Sequence, residues 1–134
     1  MEYLLDTNIC IYIIKKNPLF VLEKFFKIPF GNIAISSITY SELQYGIYKS
    51  SNPQKNKEAL ESFVSPLIIL DYDFKAGTEY GKIRADLERM GTPIGPLDTL
   101  IASHALSLNM TLVTNNEREF SRIKNLKIEN WTKI

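Results

Sequence analysis

Five side chains stand where a folded sheet can gather oxygen donors: Asp6, Glu42, Asp98, Asn116 and Glu119. Oxygen-rich clusters of this kind suit Mg2+, with Mn2+ as an alternative. Each residue also has a local structural role open to it. Asp6 can cap a helix that starts at Thr7. Glu42 can be a solvated helical glutamate, although it borders an apolar face made by Ile38, Leu43 and Ile47. Asp98 lies in the first turn after Gly95-Pro96, where the helix dipole favours an acid. Its neighbours Ile94, Leu97, Leu100 and Ile101 are apolar, so its carboxylate is desolvated unless paired or metal-bound. Asn116-x-x-Glu119 has the form of a capping box.

The elements that must position these residues alternate between strand and helix. Apolar runs at Tyr3–Leu5, Ile33–Ile35, Leu67–Leu70 and Thr111–Val113 read as short strands, with a weak last one at 126–128. Helices are expected at 7–16, after Pro18, at 38–48 capped by Ser37, from Pro53 to Val64, at 73–90 ending on Gly91, at 96–108 and at 117–123. Such an α/β string with short, all-apolar strands predicts a central parallel sheet of four to five strands, buried on both faces and flanked by helices. Ligands of such sheets bind at the carboxyl ends of the strands. The acids follow strand one, lie in the helix after strand two and open a later helix, so all can converge on that edge. Gly46, one turn beyond Glu42, costs about 1 kcal/mol in a helix and is explained if a chain segment or a ligand comes close there.

The chain has 134 residues, 45% hydrophobic and 23% charged, which fits a single domain over 1–134. Its net charge of +1 lacks the basic excess of a protein that coats nucleic acid, but local carboxylates can mask basic residues elsewhere. No apolar run is long enough for a membrane span and MEYLLDTN is not a secretion signal, so a cytoplasmic protein without membrane contact is expected. Cys10 is the single cysteine and reads as core filler among isoleucines; His104 is the single histidine, which argues against a zinc site. Trp131 reads as a packing or interface residue, and Asp71, Asp73, Glu79 and Asp86 as turn, cap or surface acids.

Four segments in order resemble a known family. YLLDTNICIYIIK, ISSITYSELQYG, GTPIGPLDTLIASHAL and LVTNNEREFSRI are similar, across essentially the whole chain, to the PIN-domain ribonucleases, specifically the VapC-type toxins of type II toxin–antitoxin pairs. The resemblance implies a PIN-like fold and an Mg2+-dependent endoribonuclease acting on a structured RNA such as tRNA. It implies catalytic roles for Asp6, Glu42, Asp98 and Asn116, with Asp6 and Asp98 as direct ligands and Glu42 as base or water-mediated ligand. Thr7, Asn8, Thr114 and Glu119 would orient ligands and waters from behind. Many family members carry aspartate where this chain has Asn116, which adds no charge. Implied partners are an RNA substrate, a cognate VapB-like antitoxin that blocks the acidic site, a second copy in a homodimer, and DNA only through the antitoxin. Lys15, Lys16, Lys82, Arg84 and Arg89 are candidate phosphate contacts, and Ile11, Ile14, Phe20 and Phe26 candidate partner contacts.

Other classes fit less well. A receiver domain needs an early acid pair that is missing, and a haloacid-dehalogenase-type phosphatase needs Asp-x-Asp where this chain has Asp6-Thr7-Asn8. A non-catalytic PIN-like module that only binds RNA or a partner is the remaining alternative.

Overall fold

In the computed structural model, residues 2–133 are described. Five parallel strands form one sheet in the order β3-β2-β1-β4-β5: β1 Tyr3–Leu5, β2 Ile33–Ser36, β3 Ile68–Leu70, β4 Thr111–Val113 and β5 Ile128–Glu129. The chain builds outward from β1 on one side, then returns to add β4 and β5 on the other. The order therefore reverses between β1 and β4, whose residues pair Leu4 with Leu112 and Leu5 with Val113. That reversal opens a crevice at the strands' carboxyl ends, the place where such sheets bind ligands.

Strand residues alternate between two cores, as the period of two requires. Leu5, Ile33, Ile35 and Val113 face one core, filled by α1 (Thr7–Lys15), α2 (Leu19–Lys27), α3 (Ser37–Lys49), α4 (Pro53–Val64) and Trp131. Leu4, Ala34 and Leu112 face the other, covered by α5 (Phe74–Arg89), α6 (Pro96–Ser107) and the short α7 (Glu117–Phe120). Cys10 and Trp131 are buried in the first core, where Trp131 meets Tyr3 edge-on with ring centroids 5.6 Å apart.

Helix starts follow local chemistry. Asp6, Asn52, Asp73 and Asn116 each cap a helix by accepting a backbone N–H, and Pro53 and Pro96 occupy first-turn positions. Three expectations need correction. Ser36, not Ser37, caps α3, accepting from the Ile38 N–H; Ser37 lies inside the helix and its Oγ instead accepts the Tyr72 N–H at 3.0 Å. The strands are also not all buried on both faces. β3 is an edge strand, and Ile68 and Ile69 are 41% and 39% exposed. The last strand pairs at 128–129 rather than 126–128. No helix among the described residues is long and apolar enough to cross a membrane.

Candidate active site

Asp6 leaves β1 at the crevice. Its backbone N–H donates to the Val113 carbonyl at 3.0 Å, which ties the residue to β4 as well as β1. The side chain is only 5% exposed. Oδ1 accepts the Ile9 N–H at 3.0 Å as the cap of α1, and Oδ2 accepts the Thr114 hydroxyl. Burial raises the Asp6 pKa, while these bonds, and one from the Asn8 backbone, pull it back. Capping and site residence are thus combined in one carboxylate.

Thr7 opens α1 and turns toward α3. Its hydroxyl lies 3.3 Å from Glu42 Oε1 and 3.5 Å from Thr39 Oγ1. The one hydroxyl proton serves the carboxylate, the stronger acceptor. Asp98 arrives from the first turn of α6. Its pKa is pushed up to about 6, by burial first, then by the charges of Glu119, Asp6 and Glu42 and a hydrogen bond with the Glu119 carboxyl. Asp6, Thr7, Asn8, Glu42 and Asp98 line one open cleft of about 360 Å3, together with Gly95, Pro96 and Leu97.

Asn116 and Glu119 stand behind this cleft rather than in its wall. Asn116 caps α7, accepting the Glu119 N–H at 3.4 Å, and its Nδ2 donates to Glu119 Oε2 at 3.1 Å. The Asn116 N–H in turn donates to Thr114 Oγ1 at 3.0 Å, so Thr114 links the loop after β4 to Asp6. Asn116 therefore reaches the acids through Thr114 and Glu119.

The donor set suits a hard cation: three carboxylates face one cleft, and the crowding that lifts the Asp98 pKa is the kind a cation relieves. Among the described residues, however, no three His, Cys, Asp or Glu side chains converge to metal-ligand spacing. Mg2+ commonly takes one or two carboxylates and keeps several waters, and this looser arrangement matches that habit.

The remaining candidates scatter. Lys15 and Lys16 end α1 exposed and form no ion pair among the described residues, whereas Lys82, Arg84 and Arg89 pair with acids of their own helix, Glu79, Glu88 and Asp86. Ile11 and Ile14 line a groove of about 300 Å3 that runs from Glu42 past Gly46. A Cβ at Gly46 would meet nothing within 4 Å, so no segment of this chain explains that glycine. Phe20 is half-buried, and Phe26, 64% exposed, packs on Phe25 and Phe30. Sequence reasoning missed the pair Ser36 and His104, buried behind the site with His104 Nδ1 2.7 Å from Ser36 Oγ. The signal was present in the two adjacent serines, either of which can cap α3.

The model of the PIN domain matches residues 3–126 of this sequence. The chain belongs to the PIN-domain family. Among PIN domains it is closely related to the VapC toxins. It is 48% identical over 132 residues to the tRNA(fMet)-specific endonuclease VapC of Shigella flexneri, covering 98% of this chain and 99% of that one. It is 49% identical over 134 residues to ribonuclease VapC2 of Rickettsia felis, covering 99% and 100%. The crystal structure of Rickettsia felis VapBC2 bound to a promoter DNA fragment superposes with a TM-score of 0.92 at 48% identity, over 98% of this chain and 99% of that one. The DNA-bound VapBC of Salmonella typhimurium gives 0.92 at 47% identity, over 98% of each chain. Family membership carries nuclease-type hydrolase chemistry and divalent-metal dependence with it.

Proposed function

We propose that this chain is the toxin of a toxin–antitoxin pair, an Mg2+-dependent endoribonuclease that cuts a structured RNA of the tRNA class. The observation that carries the proposal is the cleft at the β1/β4 reversal, where carboxylates from three separate elements face one another. The near full-length likeness to tRNA(fMet)-specific endonucleases makes initiator tRNA the first substrate to test.

A bound Mg2+ lowers the pKa of its water and neutralises charge on the phosphate. Asp6 and Asp98 are the proposed direct ligands. Asp6 is held rigid for this by the α1 N-terminus and Thr114. Glu42, oriented by the Thr7 hydroxyl, would take the proton of the attacking water as its P–O bond forms, while the bond to the leaving ribose oxygen breaks and that oxygen takes a proton from solvent. Asn8 lines the cleft beside them, and Asn116 and Glu119 fix Asp98 from behind. Of the five candidate phosphate contacts, Lys15 and Lys16 are the two without an ion pair among the described residues, and they are the proposed contacts to RNA phosphates.

The regulator proposed is a cognate VapB-like antitoxin, whose C-terminal segment covers the acidic cleft with a basic side chain in the metal's place. The apolar groove beside Glu42 supports this, as does the solved likeness to VapBC assemblies on DNA. DNA contact then belongs to the antitoxin, and a homodimer completes the assembly.

The test is cleavage of initiator tRNA by purified protein. Mg2+-dependent scission that EDTA stops, and that Asp6→Asn abolishes without loss of fold, is the expected result. An Asp6→Asn protein that cuts at the normal rate would sink the assignment. Folded wild type that binds tRNA but never cuts it favours the non-catalytic module.

A further inference from the structure

Asp98 and Glu42 face the same cleft from different helices, α6 and α3, and something must set the relation of those helices. Among the described residues, one side-chain hydrogen bond joins α6 to the segment formed by β2 and α3: His104 Nδ1 to Ser36 Oγ, 2.7 Å, with His104 2% exposed and Ser36 fully buried. The bond is best used with Ser36 as the donor. Ser36 Oγ already accepts the Ile38 N–H at 3.1 Å, so its own proton is free to go to Nδ1. With Nδ1 accepting, the neutral ring carries its proton on Nε2. Burial holds the imidazole pKa below the usual histidine value, in keeping with a neutral ring beside Asp71 and Asp73.

A second contact runs parallel. Ser103, next to His104, donates to the Leu100 carbonyl at 2.8 Å and meets the Tyr72 hydroxyl at 3.0 Å, while the Tyr72 N–H donates to Ser37 Oγ. Tyr72 also lies edge-on to the His104 ring, with centroids 5.4 Å apart. The loop after β3 is thus clamped between α3 and α6.

We propose that His104 is a positioning residue for the nuclease reaction: with Ser36 it forms a buried latch that sets α6, and so Asp98, against α3 and Glu42. The latch touches neither substrate nor metal. It rests on the proposed function for the reaction it serves, but its effect on cation binding stands apart from cleavage. Supporting groups behind a metal site change affinity or rate by roughly tenfold to a hundredfold when lost. Misplacing a reacting group by about an ångström has a similar cost.

The test compares wild type with Ser36→Ala, His104→Leu and His104→Asn. In the last, the amide oxygen replaces Nδ1 as the acceptor for Ser36. Melting curves establish folding, and kcat and KM for RNA cleavage and the Mn2+ dissociation constant from electron paramagnetic resonance are measured on each folded protein. The expected result is a kcat loss of about tenfold or more in Ser36→Ala and His104→Leu, with little change in KM. Mn2+ binding should weaken by about tenfold in the same two variants, and His104→Asn should recover most of both losses. If His104→Leu does not fold, Ser36→Ala and His104→Asn decide. Folded Ser36→Ala or His104→Leu with wild-type kcat and Mn2+ affinity overturns the latch, as does His104→Asn as impaired as His104→Leu. Wild type that cuts no RNA defeats the proposed function instead, and the Mn2+ affinities then judge the latch alone.

Discussion

Asp98 keeps its proton to about pH 6, against 3.8 for a free aspartate, because it is desolvated and shares its surroundings with Glu119, Asp6 and Glu42. A carboxyl pKa raised on folding adds stability that is intact below the unfolded value of about 4 and is lost as pH rises through the folded one. In EDTA, the protein should therefore lose stability from pH 4 to above pH 6. Asp98→Asn should match wild type near pH 4 and melt a few degrees higher at pH 8. Melting curves across that range decide it, and equal melting points at pH 8 would mean the crowding costs nothing. Thr114 acts in the opposite sense on Asp6. Its buried hydroxyl stabilises the ionised carboxylate, so Thr114→Val strands an acceptor and should cost about 1–3 kcal/mol at pH 8 by denaturant titration. The deficit should shrink as the pH falls through the Asp6 pKa, since a neutral carboxyl needs that donor less.

At the level of elements, α3 carries a residue that helix formation alone disfavours. Gly46 is exposed and a methyl group there meets nothing, so Gly46→Ala should stabilise the isolated protein by about 0.5–1 kcal/mol in urea unfolding. No gain in stability would show that α3 is strained there in some other way. Helix starts were legible in the sequence because caps are local: Asp6, Asn52-Pro53 and Gly95-Pro96 announce themselves within a turn. The exposure of β3 was not, because a three-residue apolar run looks the same at a sheet's edge as at its centre. The bond from Ser36 to His104 spans 68 residues, and the Thr114 bond to Asp6 spans 108. Pairings of that separation leave no periodic trace. Individually the acids look like caps and surface groups, and their gathering was legible through their places at the strand ends of a parallel sheet and through the order of the four family segments. Asn116 shows the limit of that reading, since its side chain serves α7 and Glu119 rather than the cleft wall.

For the molecule as a whole, two cores hold the sheet from either side, and the polar chemistry collects at one end of it. Cys10 belongs to the first core and is the chain's single thiol. It is fully buried in α1, and burial, assisted by the charge of Asp6, pushes its pKa well up. A thiol so placed is inert until the helix that Asp6 caps swings away from the sheet. Its modification by a disulfide reagent is then a stopwatch on the opening of the site-bearing helix, with no engineered label needed. Saturating Mg2+ should slow the labelling of native protein relative to EDTA, while denatured protein reacts at once. Labelling equally fast with and without Mg2+ would mean that α1 breathes independently of whatever Asp6 holds.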